Sequence, residues 1–166
     1  MFDIAQWAIG MDNSGPIEIT PAGYEGTEFL TFKYENGTIM TEEPYDEQRT
    51  PGVKFWGEKG WIEVSRGEYE APDESLYPPQ TEDVDGDYET KIPHLVNFIE
   101  SVKTHTAPVV PVEVGHRSCA VCTLGNMAYD MKRTIKWDPK TEQFVDDAEA
   151  ESNRLYNKSY ANGYKL

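Results

Sequence analysis

Cysteine is almost absent: the 166 residues include two, Cys119 and Cys122, three positions apart. Two thiols so close in sequence build no disulfide framework, which excludes a small bridge-stapled fold and makes a reducing cytoplasm the default expectation. Positive charge is scarce as well. Fifteen Lys and Arg stand against 30 Asp and Glu, a formal net charge of −15. That balance repels nucleic-acid phosphates and anionic lipid, so neither nucleic acid nor a membrane is expected as a partner. No apolar run approaches the roughly 20 residues of a membrane-spanning helix, and the first residues lack the basic start and apolar stretch of a signal peptide. No Gly-x-Gly-x-x-Gly occurs either. The chain therefore holds no glycine-rich turn for a dinucleotide pyrophosphate.

The length suits one domain over residues 1–166, since single domains commonly run to about 100–200 residues. Helical patterning begins at once: Phe2, Ile4, Ala5, Trp7, Ala8 and Ile9 crowd two turns, and Gly10 is placed to close them in the left-handed conformation. So abrupt a start leads to the expectation that this is a piece of something longer. Pro16–Thr20 and Thr27–Tyr34 read as strands, and Glu35-Asn36-Gly37 as a hairpin turn of type I′ leading into Thr38–Thr41. Gly52–Trp56 and Gly60–Ser65 form a second pair about Gly57-Glu58-Lys59-Gly60, with the β-prone Phe55, Trp61 and Ile62.

Residues 66–90 turn polar, acidic and proline-punctuated, a composition that cannot bury enough apolar surface to fold alone, and read as an excursion over the surface. Helical spacing resumes at Pro93–Val102, where Leu95, Phe98, Ile99 and Val102 make one stripe expected to cap the sheet. A longer helix follows from about Glu113 to Met131, then a short strand at Thr134–Trp137, a polar helix at Asp146–Tyr156 and a tail at 157–166. Strands first and helices later predict an α+β fold: an open, mostly antiparallel sheet with helices packed on one face.

Among residues that carry chemistry, His116 and Arg117 open the long helix. A histidine titrating near neutrality can shuttle a proton, and an arginine can hold a hydroxyl or carboxylate. The competing reading packs His116 against the sheet and pairs Arg117 with nearby acids. His94 and His105 flank an amphipathic helix and read as structural. His116, Cys119 and Cys122 are spaced by three, but steps of three rotate each side chain about 60° backward and leave a fourth ligand unspecified, so no metal is assigned. Cys119 and Cys122 read instead as two core residues. Asp83, Asp85, Asp87 and Glu89 suggest calcium, yet Gly86 falls fourth from Asp83 where a calcium loop wants glycine sixth. A glycosidase pair among the many carboxylates needs a separation that spacing alone does not supply.

Longer phrases carry a resemblance. Phe2-Asp3-Ile4-Ala5-Gln6-Trp7-Ala8-Ile9-Gly10-Met11-Asp12-Asn13-Ser14-Gly15-Pro16, then Gly52–Ile62, Val112–Ser118, Leu124–Ala128 and Lys136-Trp137-Asp138-Pro139, together resemble the C-terminal domain of the Gfo/Idh/MocA family of NAD(P)-dependent sugar and polyol oxidoreductases. The resemblance covers nearly the whole chain and implies the same α+β architecture. It implies that the N-terminal Rossmann domain, with its dinucleotide site and Glu-Lys-Pro motif, is missing, so this chain holds no cofactor and no catalytic residue. Glu58-Lys59-Gly60 shares two letters with that motif but sits in a turn, where a lysine is solvated. Asp3 matches the aspartate of a His-x-x-Asp pattern whose histidine would fall one residue before Met1; it is a substrate-side candidate or simply an acid favoured by a helix dipole. Lys54 is a further candidate, since Val53 and Phe55 face the other way and relatives meet substrate at the sheet. The substrate-binding candidates are thus Asp3, Lys54, His116 and Arg117. Phe29, Phe32, Phe55, Trp56 and Trp61 are expected to form a homo-oligomer through the sheet face, as in relatives, and a sugar or polyol is the implied ligand. The alternative is a non-catalytic carbohydrate-binding or assembly module derived from the family.

Overall fold

The computed structural model describes residues 1–44, 51–65, 68–77 and 91–153. In chain order its elements are α1 (Phe2–Ala8), β1 (Glu18–Thr20), β2 (Leu30–Lys33), β3 (Ile39–Glu42), β4 (Val53–Gly57), β5 (Gly60–Ser65), β6 (Glu68–Glu70), α2 (Lys91–Thr104), α3 (Val112–Met131), β7 (Ile135–Asp138), β8 (Gln143–Phe144) and α4 (Ala148–Ser152). The fold is α+β with open antiparallel sheets, and the strands divide between two of them. The described residues fall into two compact units.

One unit holds Phe2, Gln6–Pro44 and the described residues from Arg117 onward. Its sheet runs β3-β2-β1-β7-β8, every neighbouring pair antiparallel. Register sets Ile19 beside Phe32 on one side and Ile135 on the other, so these three share a face. All three are fully buried, together with Val121 and Ala128 of α3. Burying a side chain of the size of Phe32 is worth roughly 1.5–3 kcal/mol. Helix and sheet approach closely at Gly125, where an added Cβ would lie 3.0 Å from Leu30 Cδ2 and 3.2 Å from Phe32 Cζ. Phe2 meets Phe32 edge-on at 5.4 Å between ring centroids. Gln6, fully buried, donates from Nε2 to the carbonyls of Met11 and Ser14 and so fastens the chain that leaves α1. Gly10 closes that helix at φ 72°, as its position in the sequence predicts.

The hairpin between β2 and β3 departs from the expected type I′ turn. Gly37 N–H donates to Tyr34 C=O and Tyr34 N–H to Thr38 C=O, and within the turn only Gly37, at φ 86°, takes a positive φ. Asn36 instead keeps ordinary backbone and accepts from Thr38 N–H through its side chain, the local bonding that makes asparagine a turn former in more than one geometry.

The cysteines also lie elsewhere than the core position expected of them. Both are exposed. The apolar positions Val121, Leu124, Gly125 and Ala128 follow a helical stripe that faces the core, and Cys119 and Cys122 lie off it.

The other unit holds Met1, Asp3–Ala5 and the described residues from 51 to His116. Its sheet is β4-β5-β6, antiparallel throughout, with the Glu58-Lys59 turn pairing Gly57 with Gly60. β6 and a 3-10 turn at Glu74–Leu76 fall inside the stretch read as a surface excursion. The acidic residues from Asp83 to Glu89 and the tail at 157–166 lie outside the described residues. The predicted helix forms as α2, but Leu95, Phe98, Ile99 and Val102 are all exposed rather than capping a sheet. Periodicity places a stripe on one side of a helix; it does not name the surface that meets it. Among the described residues, no helix is long and apolar enough to cross a membrane.

Candidate functional site

The four substrate-side candidates are placed in different surroundings. Asp3 sits in the first turn of α1, largely exposed, with the N-terminal ammonium 3.3 Å away. Partial burial pushes its carboxyl up, but the Ile4 amide and that ammonium outweigh it and hold the group below its ordinary value. His116 is exposed on α3, so the reading that packs it against the sheet does not hold.

Arg117 points elsewhere. Its Nη1 donates to Glu142 Oε1 at 2.6 Å and to the Pro139 carbonyl at 2.7 Å. One guanidinium thereby ties α3 to the turn between β7 and β8. Of the two readings of Arg117, pairing with an acid is the one this geometry realises. Glu142 itself holds a positive φ of 54°, an uncommon conformation for a residue with a Cβ.

Lys54 is the candidate that gathers others around it. The β4–β5 register pairs Lys54 with Glu63 and Trp56 with Trp61, and side chains two apart on a strand share a face. Those four residues therefore stand together. Lys54 Nζ lies 3.7 Å from the Trp61 ring centroid, 5.0 Å from that of Trp56 and 3.4 Å from Glu63 Oε2. The indoles lie 6.3 Å apart, tilted by 51°. Val53, Phe55, Ile62 and Val64 occupy the opposite face and are half-buried. This divides the aromatic set expected to act as one interface: Trp56 and Trp61 are on one side and Phe55 on the other, while Phe32 is buried in the core of the first unit. The signal was present in the sequence, since a two-residue turn at Glu58-Lys59 dictates which residues stand opposite each other.

A second polar cluster went unforeseen. An open depression of about 440 Å³ in the first unit is lined by Glu18, Glu25, Arg133, Thr134, Lys136 and Asp147, among others. Arg133 grips Asp147 through two nitrogens, at 2.6 and 2.8 Å, and reaches Glu149 at 3.3 Å. This pairing holds the Asp147 carboxyl below its ordinary value and raises Arg133. Glu25 accepts from both the hydroxyl and the amide of Thr134, which lowers its carboxyl in turn. Each contact joins segments far apart in the chain, and no local pattern announces them. Their chemistry is that of a satisfied network fastening the ends of α3 and α4, because its strongest donors and acceptors are already spent on one another. Among the described residues, no group of three or more His, Cys, Asp or Glu side chains is arranged to hold a metal ion.

Comparison with known proteins adds one finding. Residues 2–166 match the profile of a family described as oxidoreductase family, C-terminal alpha/beta domain. No curated protein and no solved structure matches the chain.

Proposed function

The chain belongs to the Gfo/Idh/MocA oxidoreductase family, and from that premise we propose that it is the substrate-binding and oligomerisation domain of an NAD(P)-dependent sugar or polyol oxidoreductase, inactive in hydride transfer by itself. The observation that carries the proposal is a match to the family's C-terminal domain from residue 2 to residue 166 in a sequence without a Gly-x-Gly-x-x-Gly turn. These residues do not fit a dinucleotide, so no step of hydride transfer is assigned to them. Asp3, Lys54 and His116 are the candidates proposed to meet substrate hydroxyls. Arg117 positions α3 rather than touching substrate, because its guanidinium is already engaged by Glu142 and Pro139.

Oligomerisation through the sheet draws support from the partly exposed apolar side chains Phe29, Phe55, Ile62 and Val64. The exposed stripe on α2 adds apolar area of the kind that protein contacts cover. Calorimetric titration of the chain with NADH and NADPH is expected to give only heats of dilution; saturable binding of either would overturn the claim that nucleotide binds elsewhere. Sedimentation is expected to return the mass of two or more chains. A single-chain mass throughout the micromolar range would remove the oligomerisation role.

A further inference from the structure

The apolar stripe of α2 has a symmetry of its own. Ile92, Leu95, Ile99 and Val102 follow one another at steps of three, four and three, the seam of a heptad pattern, and those steps read the same from either end. Val96 and Phe98 flank the seam on its two sides. All six side chains are between 45% and 62% exposed. Asn97 and Ser101 lie on the opposite side of the helix and are half-buried. There Asn97 Oδ1 accepts from the Val109 amide at 2.9 Å. The chain leaving α2 thus returns along its back and leaves the seam open. We infer that this seam binds a second copy of itself, as an antiparallel pair of α2 helices about a two-fold axis at the level of Asn97.

The spacing of the stripe selects that partner. In such a pair Leu95 of each copy meets Ile99 of the other, and Ile92 meets Val102, so every layer closes apolar on apolar as a two-fold contact requires. Together the six side chains expose on the order of 600 Å² in each copy, so a pair buries about the 1,200 Å² at which stable interfaces begin. A patch of that size stands at the upper edge of what a monomer leaves in water. Direction follows from the flanks. An antiparallel pair sets the two copies of Phe98 side by side and likewise the two of Val96, whereas a parallel pair would press Phe98 of one copy against Lys103 of the other. It also lays each helix N-terminus beside the other's C-terminus, where the dipoles attract. An anionic lipid surface fits less well, since from Pro93 to Val102 the polar side of α2 carries Glu100 and no lysine or arginine. The contact stands apart from the sheet and rests on the oligomerisation reading only in requiring two copies.

Sedimentation equilibrium of the full 166-residue chain tests this with the parent and with Leu95→Lys and Ile99→Glu, each alone and the two mixed in equal amounts. The parent is expected to associate with a micromolar Kd, as suits an interface at the small end of the range. Each variant alone places an unpaired charge in both central layers and should lose this step of association by at least about 30-fold. In the mixture the introduced lysine meets the introduced glutamate in one layer while Leu95 meets Ile99 in the other, so association should return to within about tenfold of the parent. Variants weakened alone and not rescued by mixing would overturn the antiparallel register. Variants that associate as tightly as the parent would overturn the helix pair and leave oligomerisation through the sheet standing; a parent that stays a single chain would remove both. Far-ultraviolet circular dichroism checks that the variants fold. If either does not, hydrogen exchange of the parent carries the test: the amides from Ile92 to Val102 should exchange at least about fivefold more slowly in concentrated than in dilute solution, and exchange indifferent to concentration would overturn the pair.

Discussion

The two sheets are built from the same kinds of residue and reach different degrees of burial. In β3-β2-β1-β7-β8 the positions of Ile19, Phe32 and Ile135 align across three strands, and α3 lays Val121 and Ala128 into the same fully buried core. In β4-β5-β6, Val53, Phe55, Ile62 and Val64 align just as well, yet none is fully buried. Alternation is alike in both; cover is not. A strand pattern decides which side chains share a face, and the energy arrives only when another element removes that face from water.

The difference is broken most severely at Phe32. Phe32→Ala should cost about 3–5 kcal/mol, because it opens a cavity under α3, whereas Phe55→Ala should cost about 1 kcal/mol from a half-exposed site. Chemical denaturation of the two variants measures both. Equal losses would show that the second sheet is as firmly covered as the first.

Asp147 sharpens the contrast from the electrostatic side. Its folded-state pKa lies below the ordinary 3.8 because Arg133 bonds its carboxylate. A depressed carboxyl contributes stability that is present above the ordinary value and lost as pH falls through the folded one. Asp147→Asn should therefore be less stable than the parent at neutral pH by about 1–2 kcal/mol. Its denaturation midpoint should also fall less steeply between about pH 5 and pH 2. Parallel acid profiles for the two proteins would remove the Arg133 pair from the account.

The smallest effect is expected at Arg117. A double-mutant cycle of Arg117→Ala with Glu142→Gln should return a coupling of about 0.5–1 kcal/mol, the range of a partly exposed ion pair. A coupling near zero would release Arg117 from its role as a strut and return it to the substrate-side candidates.

Much of this arrangement was legible in advance. Six of the described strands, both long helices and the turn at Gly10 follow from spacing and glycine placement, whereas the short β6 and β8 do not, and the Lys54 face follows from counting back from a two-residue turn. The turn at Asn36-Gly37 is not of type I′, and the sequence does not distinguish the two because Asn36 bonds locally in either geometry. Residue type alone points Cys119 and Cys122 to the core, although the stripe through Val121, Leu124 and Ala128 leaves them outside it. The network of Glu25, Thr134, Arg133 and Asp147 was invisible, since it unites residues up to 109 positions apart.

Local physics, then, settled within the sequence itself where backbone bends, which side chains share a face, and that the balance of charge is strongly acidic, because each depends on a few neighbouring residues or on composition. The family was readable there too, in phrases spread along nearly the whole chain. Tertiary structure alone decided which of two equally patterned faces is buried, that Arg117 is spent on Glu142 and Pro139, and that Lys54 rests on Trp61. Those outcomes depend on approach between segments distant in the chain or on side-chain placement across strands, and on whether an apolar surface finds a partner.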